Sequence, residues 1–407
     1  MKDTLVKSYG TKTQIRKNTF TRKGYVFTGW TMQRKSDGKW WYYKSASEYG
    51  WYKSGEQPAG WPKGVWPDKK VANGNNTYVD NDVVTLYAVW KKESEVENSK
   101  IWKRIYGANR YDTMQKIVST GFKKTGGTVV VASGGTFKDA VAASGFAGLY
   151  NAPIVLTAKS NLSSQAQTVL KQLKPTQVYV VGGNLAVTNK VKNQIAQVTG
   201  ATVTRVSGDN SVLTSVRLAF AGQGSWSKDG IAVITTNSSF KDALSISPIA
   251  YAKKYPVFLS DKGKTVAPEV LDAMAKLEIK KVIIVGGEKA VSTTVEAQLK
   301  KAGIEIETRL AGDTAVLTSK AIAKWGLKNG MKVNNLGVAT SQDFPDALAG
   351  GAFCGSKKTV LLLADDDAMT NATFPGAYKK DITRGYIFGG QTAVGLKTYK
   401  KLDASTK

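Results

Sequence analysis

Histidine is absent from the 407 residues, and cysteine occurs once, at Cys354. Without histidine, a Ser-His-Asp triad, a Cys-His pair and a His-ligated zinc site are all excluded. A single thiol forms no disulfide within the chain and no cysteine-based metal cluster. Set in the apolar run Ala347 to Cys354, it reads as a small core residue. Long apolar runs are missing as well: none approaches the roughly 18 residues of a membrane-spanning helix. The opening MKDTLVKSYG has no apolar segment of the kind that forms a secretory leader. Acids are scarce, 31 against 58 Lys and Arg, leaving a net charge of +27. Such an excess biases partners toward polyanions: nucleic acid, anionic membrane or wall polymer.

What is present is globular in character. Hydrophobic residues make up 42% of the chain and charged ones 22%, enough apolar surface for packed cores. The length calls for about two to four compact units. From Arg104 onward the sequence repeats with a period of about 100 residues. Arg104-Ile-Tyr-Gly107 returns as Arg205-Val-Ser-Gly208 and Arg309-Leu-Ala-Gly312, each followed by a threonine at 113, 214 and 318. Phe137-Lys-Asp-Ala140 returns as Phe240-Lys-Asp-Ala243 and Phe344-Pro-Asp-Ala347. Pro153-Ile-Val-Leu156 returns as Pro256-Val-Phe-Leu259 and, without proline, as Val360-Leu-Leu-Leu363. Val180-Val-Gly-Gly183 returns as Ile284-Val-Gly-Gly287 and Ile387-Phe-Gly-Gly390.

Within each copy, strands and helices alternate. In the first, strands are expected at 128–132, 153–157 and 177–181, and helices at 139–149, 163–173 and 187–198, from β-branched runs and helical spacing. Alternation of this kind implies parallel βαβ crossovers and a three-layer α/β unit. Residues 1–92 differ. They hold Trp30, Trp40, Trp41, Trp51, Trp61, Trp66 and Trp90, turn signals at Asp37-Gly38 and Asn73-Gly74, and no helical periodicity. That pattern is a small β-rich domain. Lys91 to Lys100 (KKESEVENSK) is charged, with Val96 its only apolar residue, and a linker is set at 93–103. The expected division is therefore 1–92, the linker 93–103, and repeats 104–204, 205–308 and 309–407.

The repeated motifs resemble the cell-wall-binding repeat family 2, carried in threes by clostridial wall proteins; the likeness covers residues 104 to about 402. It implies three flavodoxin-like or Toprim-like units in a pseudo-threefold arrangement, an internal pseudo-trimer within a monomer. It implies a secreted, non-catalytic cell-wall protein whose leader lies upstream. The implied ligand is an anionic wall polysaccharide or teichoic-acid-like polymer, with no cofactor, metal, nucleic acid or membrane span. Repeats two and three depart from the pattern, with Asn210-Ser-Val-Leu213 and Thr314-Ala-Val-Leu317 where the first has Asn109-Arg-Tyr-Asp112. The N-terminal region resembles the internalin-type B-repeat, or Listeria–Bacteroides repeat, at Thr19 to Trp30 and Leu86 to Trp90. This implies a β-grasp-like spacer. Asp37-Gly-Lys-Trp-Trp-Tyr-Tyr43 resembles a choline-binding repeat, but a single copy does not stack into a solenoid.

Candidate site residues follow, each with a structural counterpart reading. Asp139, Asp242 and Asp346 stand where a strand ends and a helix opens, a place for ligands or for helix capping. Capping is favoured, since no second carboxylate accompanies them in every copy. Each Gly-Gly pair offers a phosphate cradle or a tight turn, and the turn is favoured. Arg104, Arg205 and Arg309 suit either an anionic ligand or an acid in the adjacent repeat. Arg110 and Tyr111 are candidates in the first copy only. Pro153, Ile154, Val155 and Leu156, with Pro256, Val257, Phe258 and Leu259, are central-strand core by composition, while the resemblance sets them near the polymer groove. Asp365-Asp-Asp367 reads as a solvated turn. The first repeat has eleven bases against two acids, +9, compared with +3 and +6 in the others, and is expected to dominate polyanion binding. Two other uses compete with anchoring: an adhesin acting through the N-terminal aromatics, and the targeting part of a wall hydrolase.

Overall fold

The structure, a computed structural model, describes residues 2–6, 22, 24–45, 48–64, 83–366 and 369–407. The chain divides into two compact units, Met1–Asn98 and Ser99–Lys407.

The N-terminal unit is an antiparallel sheet of β1 (Lys2–Val6), β2 (Tyr25–Arg34), β3 (Trp40–Ser45), β4 (Glu48–Tyr52) and β5 (Val83–Lys92), ordered β1-β5-β2-β3-β4. Aromatic and β-branched residues favour such a sheet, and Val26, Trp30, Met32, Trp41, Tyr42 and Leu86 form its core. Phe27–Trp30 and Trp41–Trp51 meet edge to face at 5.1 and 5.3 Å. Trp40, Trp51 and Trp61 are half-buried, and the Lys63 ammonium lies 3.5 Å from the centre of the Trp40 ring. Trp66, the Asn73-Gly74 turn signal and the Thr19–Thr21 start of the B-repeat pattern lie outside the described residues.

The boundary between the two units, Asn98/Ser99, falls within the charged stretch 93–103. Glu93–Val96 forms a helical turn, α1, whose first amide donates to the Gly24 carbonyl at 3.0 Å, so it packs with the N-terminal sheet. From Ser99 onward the chain belongs to the second unit.

That unit opens with β6 (Trp102–Ile105), α2 (Arg110–Gly121), β7 (Thr128–Ser133), α3 (Lys138–Leu149), β8 (Ile154–Thr157), α4 (Ser164–Leu173), β9 (Gln177–Val181), α5 (Asn189–Thr199) and β10 (Thr202–Val206). The second round is α6 (Ser211–Ala221), β11 (Ile231–Thr236), α7 (Lys241–Lys253), β12 (Val257–Ser260), α8 (Pro268–Lys276), β13 (Lys281–Val285), α9 (Thr293–Lys301) and β14 (Glu305–Leu310). The third is α10 (Ala315–Lys328), β15 (Lys332–Ala339), α11 (Pro345–Ser356), β16 (Thr359–Leu363), β17 (Arg384–Phe388) and α12 (Leu396–Thr406). In the third round a 3₁₀ helix, Met369–Tyr378, stands where α4 and α8 stand in the others.

Three parallel four-stranded sheets result: β10-β9-β7-β8, β14-β13-β11-β12 and β6-β17-β15-β16. Central strands such as Val129–Ala132 and Val282–Val285 are closed on both faces, as continuous apolar runs require. Each sheet takes its last strand from the start of the next sequence repeat. Arg205 and Arg309 lie on β10 and β14, which complete the first and second sheets. The third has no following repeat, and β6 fills its edge, with Arg104 opposite Ile387. The sequence boundaries at 104, 205 and 309 therefore cut one strand into each sheet. At this seam Trp102 Nε1 donates to Thr406 Oγ1 at 3.1 Å, and the Ser99 amide to the Tyr399 hydroxyl at 2.9 Å.

The Ala- and Gly-rich helices α3, α7 and α11 pack on one another. A Cβ at Gly148 would stand 2.0 Å from the Tyr251 carbonyl oxygen, so the close approach of α3 and α7 demands glycine there. Cys354, fully buried on α11, has its thiol pKa pushed up by burial.

Candidate functional site

Phe137, Phe240 and Phe344 precede the first turns of α3, α7 and α11, and their rings touch pairwise at 5.7, 5.7 and 6.0 Å. The three repeats thus meet about one axis at the carboxyl ends of their strands, where open α/β sheets hold ligands. Around the axis run three junctions, each built from the same parts.

The aspartates lie in these junctions, and they do not cap their helices. Phenylalanine occupies each N-cap position, with no side-chain cap bond. Each carboxylate instead hydrogen-bonds a threonine of another repeat: Asp139 with Thr214, Asp242 with Thr318, and Asp346 with Thr113. Each threonine Oγ1 in turn accepts from a glycine amide, Gly107, Gly208 or Gly312, at 3.0 to 3.1 Å. Glycine is required there because a Cβ would come within 3 Å of the backbone five and six residues on. The Arg-x-x-Gly…Thr and Phe-x-Asp signatures are therefore two halves of one joint. Burial pushes Asp139 and Asp242 above the ordinary carboxylate range; the threonine hydrogen bond and the adjacent Lys138 or Lys241 oppose it. Asp346 is raised to about 6 by burial and the nearby Asp343 charge.

The first glycine of each Gly-Gly pair, Gly182, Gly286 or Gly389, has φ of +98°, +115° or +107°. A Cβ on it would stand 2.4 to 3.1 Å from an oxygen of the adjacent aspartate. Turning and close approach account for the glycine. The repeated arginines lock these turns. Arg104 Nη1 donates to the Gly389 and Val394 carbonyls at 3.0 and 2.7 Å. Arg309 makes the same pair with Gly286 and Val291 and adds Glu296 at 3.0 Å. Arg205 reaches Gly182 at 2.6 Å and Asn189 at 3.1 Å. Main-chain carbonyls, rather than an acid of the adjacent repeat alone, are their partners.

Pro153–Leu156 and Pro256–Leu259 are enclosed. They lie on the edge strands β8 and β12, and within one repeat the Leu259 amide donates to Ser215 Oγ at 3.2 Å, as Leu363 on β16 does to Ser319 Oγ at 3.0 Å. These side chains fill the junction from within. The acidic run is no solvated turn either. Asp365 is buried and accepts from Thr340 Oγ1 at 2.5 Å and the Ser341 amide at 3.0 Å. Asp366 caps α12 through the Thr398 amide at 2.9 Å. Asp367 lies outside the described residues.

Of the predicted residues, Arg110 sits at a junction with its side chain 37% exposed. Asn109 caps α2, and Arg110 at its first position donates from Nη1 to the Gly134 carbonyl at 2.7 Å. Tyr111 is half-buried against Gly134. Sequence reasoning missed the phenylalanine axis, the Asp–Thr joint, Asp343 and the closing role of β6. The threonine spacing and the invariant phenylalanine were visible signals for the first two.

Away from the junctions, Lys123, Lys124, Lys159, Lys171, Lys174 and Lys190 of the first repeat are exposed. Among the described residues none of that repeat's nine lysines forms an ion pair, whereas Lys276, Lys281 and Lys300 of the second are paired with acids. No helix among the described residues is long and apolar enough to cross a membrane.

Known proteins share this plan. The pattern of Cell wall binding domain 2 (CWB2) matches residues 104–192, 205–296 and 309–399. N-acetylmuramoyl-L-alanine amidase LytC of Bacillus subtilis is 28% identical over 300 residues, 74% of this chain and 58% of the relative. The amidase enhancer of the same organism is 28% identical over 298 residues, 73% of this chain and 39% of the relative. The chain thus spans well under two thirds of either curated relative. Among solved structures, Cwp6 from Clostridium difficile superposes with a TM-score of 0.66 at 18% identity, covering 100% of this chain and 68% of its own. Cwp8 from the same organism gives 0.64 at 21%, covering 75% and 51%. Both show the fold.

Proposed function

Since the chain belongs to the Cell wall binding domain 2 family, in three tandem copies, we propose that it anchors a secreted surface protein without covalent linkage, by gripping an anionic secondary polymer of the wall. Wall binding itself belongs to the family, and its repeats are non-catalytic; the anionic polymer, the monomeric state and secretion are the further steps taken here. The observation that carries the charge argument is the first repeat's set of exposed lysines, none in an ion pair, on a unit of net charge +9. Cations left unneutralised inside the protein are available to a polyanion, and three units side by side multiply weak contacts. The strand order of each unit, with the second strand at one edge followed by the first, third and fourth, supports a flavodoxin-like description.

Of the predicted ligand residues, the surface retains Arg110, with Tyr111 beside it. Arg104 and Asp346 build the junction that presents it, and Arg205, Arg309, Asp139 and Asp242 build the other two. Sedimentation of the full chain with purified walls, before and after removal of secondary polymers, tests the proposal. Binding is expected to require the polymers and to weaken steeply with salt as screening grows. Binding that survives both treatments refutes it. A second reading, the targeting part of a wall hydrolase, is supported by the similarity to the amidase and the amidase enhancer.

A further inference from the structure

The three junctions share a backbone plan, so each position has two counterparts in the same chain. Where Arg110 follows the cap of α2, Ser211 and Ala315 follow the caps of α6 and α10. Where Asp343 precedes Phe344, Thr136 and Ser239 precede Phe137 and Phe240. The junction between the third and first repeats therefore faces an arginine with an acid, and the other two face neither. There Arg110 Nη2 lies 3.4 Å from Asp343 Oδ2, with the side chains 37% and 55% exposed. That is longer than the roughly 2.7–2.9 Å of a well-formed charge-assisted bond, and solvent screens it. Asp343 Oδ1 is occupied by the Phe344 amide at 2.9 Å, which ties the carboxylate to its own loop. The guanidinium is held at its other end by Gly134 and lies 5.7 Å from the Phe344 ring centre. One donor edge is thus fixed and supported by an aromatic ring, and meets only a loose partner.

We propose that this junction is the single acid-binding subsite of the ring, taking one carboxylate or phosphate of the wall polymer onto Arg110, with Asp343 as its built-in competitor. The proposal rests on the wall-polymer reading above. Ligand oxygens displace the Asp343 carboxylate and pair with the guanidinium edge, for which planar two-oxygen acids are suited. Asp346, buried in the same junction, adds negative charge behind the site and disfavours permanent occupation.

The test measures binding of the full chain to purified walls at low salt for wild type, Arg110→Gln, Asp343→Asn and the counterpart controls Ser211→Ala and Ser239→Ala, each checked for native melting. Loss of one charge-assisted contact lowers affinity about tenfold in Arg110→Gln. Removal of the competitor raises it about threefold in Asp343→Asn, and both controls stay within about twofold. Soluble polyphosphate and polygalacturonate then compete against Asp343→Asn, and the better competitor identifies phosphate or carboxylate as the recognised acid. A wild type that pellets with walls while Arg110→Gln matches it overturns the subsite and leaves anchoring intact. Reduced binding by Asp343→Asn makes Asp343 a latch and overturns its competitor role. Failure of the wild type to pellet removes both readings.

Discussion

Lys281 and Lys300 of the second repeat reach Glu305, Glu307 and Glu296, while Lys123, Lys159, Lys171 and Lys174 of the first stand in solvent without an ion pair. The two repeats otherwise fold alike, sheet for sheet and turn for turn. Positions that build the unit are held in common, and positions that set its field are not. Both copies expose unpaired lysines, but the second offsets its fourteen bases with eleven acids and the first sets only two against eleven, so the first keeps the stronger positive field.

The sharpest way to break the shared half of the comparison is at the turns. Gly182→Ala combines an unfavourable positive φ with a Cβ 2.4 Å from an Asp139 oxygen, and is expected to cost roughly 3 kcal/mol of stability. Gly286→Ala, where the corresponding distance to Asp242 is 3.1 Å, costs less, and Gly183→Ala, with open space around it, is near neutral. Urea unfolding of the three variants ranks them; equal losses refute the close-approach account.

The junction aspartates give a pH signature. Asp346, raised to about 6 when folded, takes up a proton that the unfolded chain releases near its ordinary value of 3.8. Stability therefore falls as pH rises through this window, by at most roughly 3 kcal/mol, and is flat above it. Asp346→Asn reduces the slope in a melting series from pH 4 to 7, leaving the part that Asp139 and Asp242 contribute; an unchanged slope assigns it elsewhere.

Charge itself comes next. Replacing Lys123, Lys159, Lys171 and Lys174 by glutamine is expected to weaken wall binding about 30-fold, and the same change at Lys276, Lys281 and Lys300, which already face acids, no more than about threefold. Equal losses would erase the distinction between the repeats. The smallest effect is expected from Glu296→Gln, which frees Lys300 and one Arg309 contact. It costs under about 1 kcal/mol, and titration against walls detects a gain in affinity below about twofold.

Much of the fold was legible in sequence. The helix expected at 163–173 is Ser164–Leu173, and the strand expected at 177–181 is Gln177–Val181, because buried units state their periodicity plainly. The strands Trp102–Ile105 and Thr202–Val206 give no comparable signal. As edge strands of four and five residues with partly exposed positions, they are too short to stand out. Their parentage was hidden too, since pairing with the preceding sheet is a fact of topology that no local pattern carries. The junction residues stand out in sequence, but their partners do not. Asp139 in a helix's first turn looks like a cap, and only the third dimension supplies Thr214. The tryptophans of the N-terminal unit divide as composition alone does not foretell, with Trp30 and Trp41 enclosed and Trp40 and Trp61 half open.

The strand that fills the third sheet is the first of its unit to be made and the last to be partnered. When β6 leaves the synthesis machinery, its neighbour β17 lies some 280 residues in the future, whereas β10 and β14 can join sheets already assembled before them. So wide a separation makes closure the slow step of assembly. Until then the third sheet keeps a bare edge, open to any extended chain that arrives before its own.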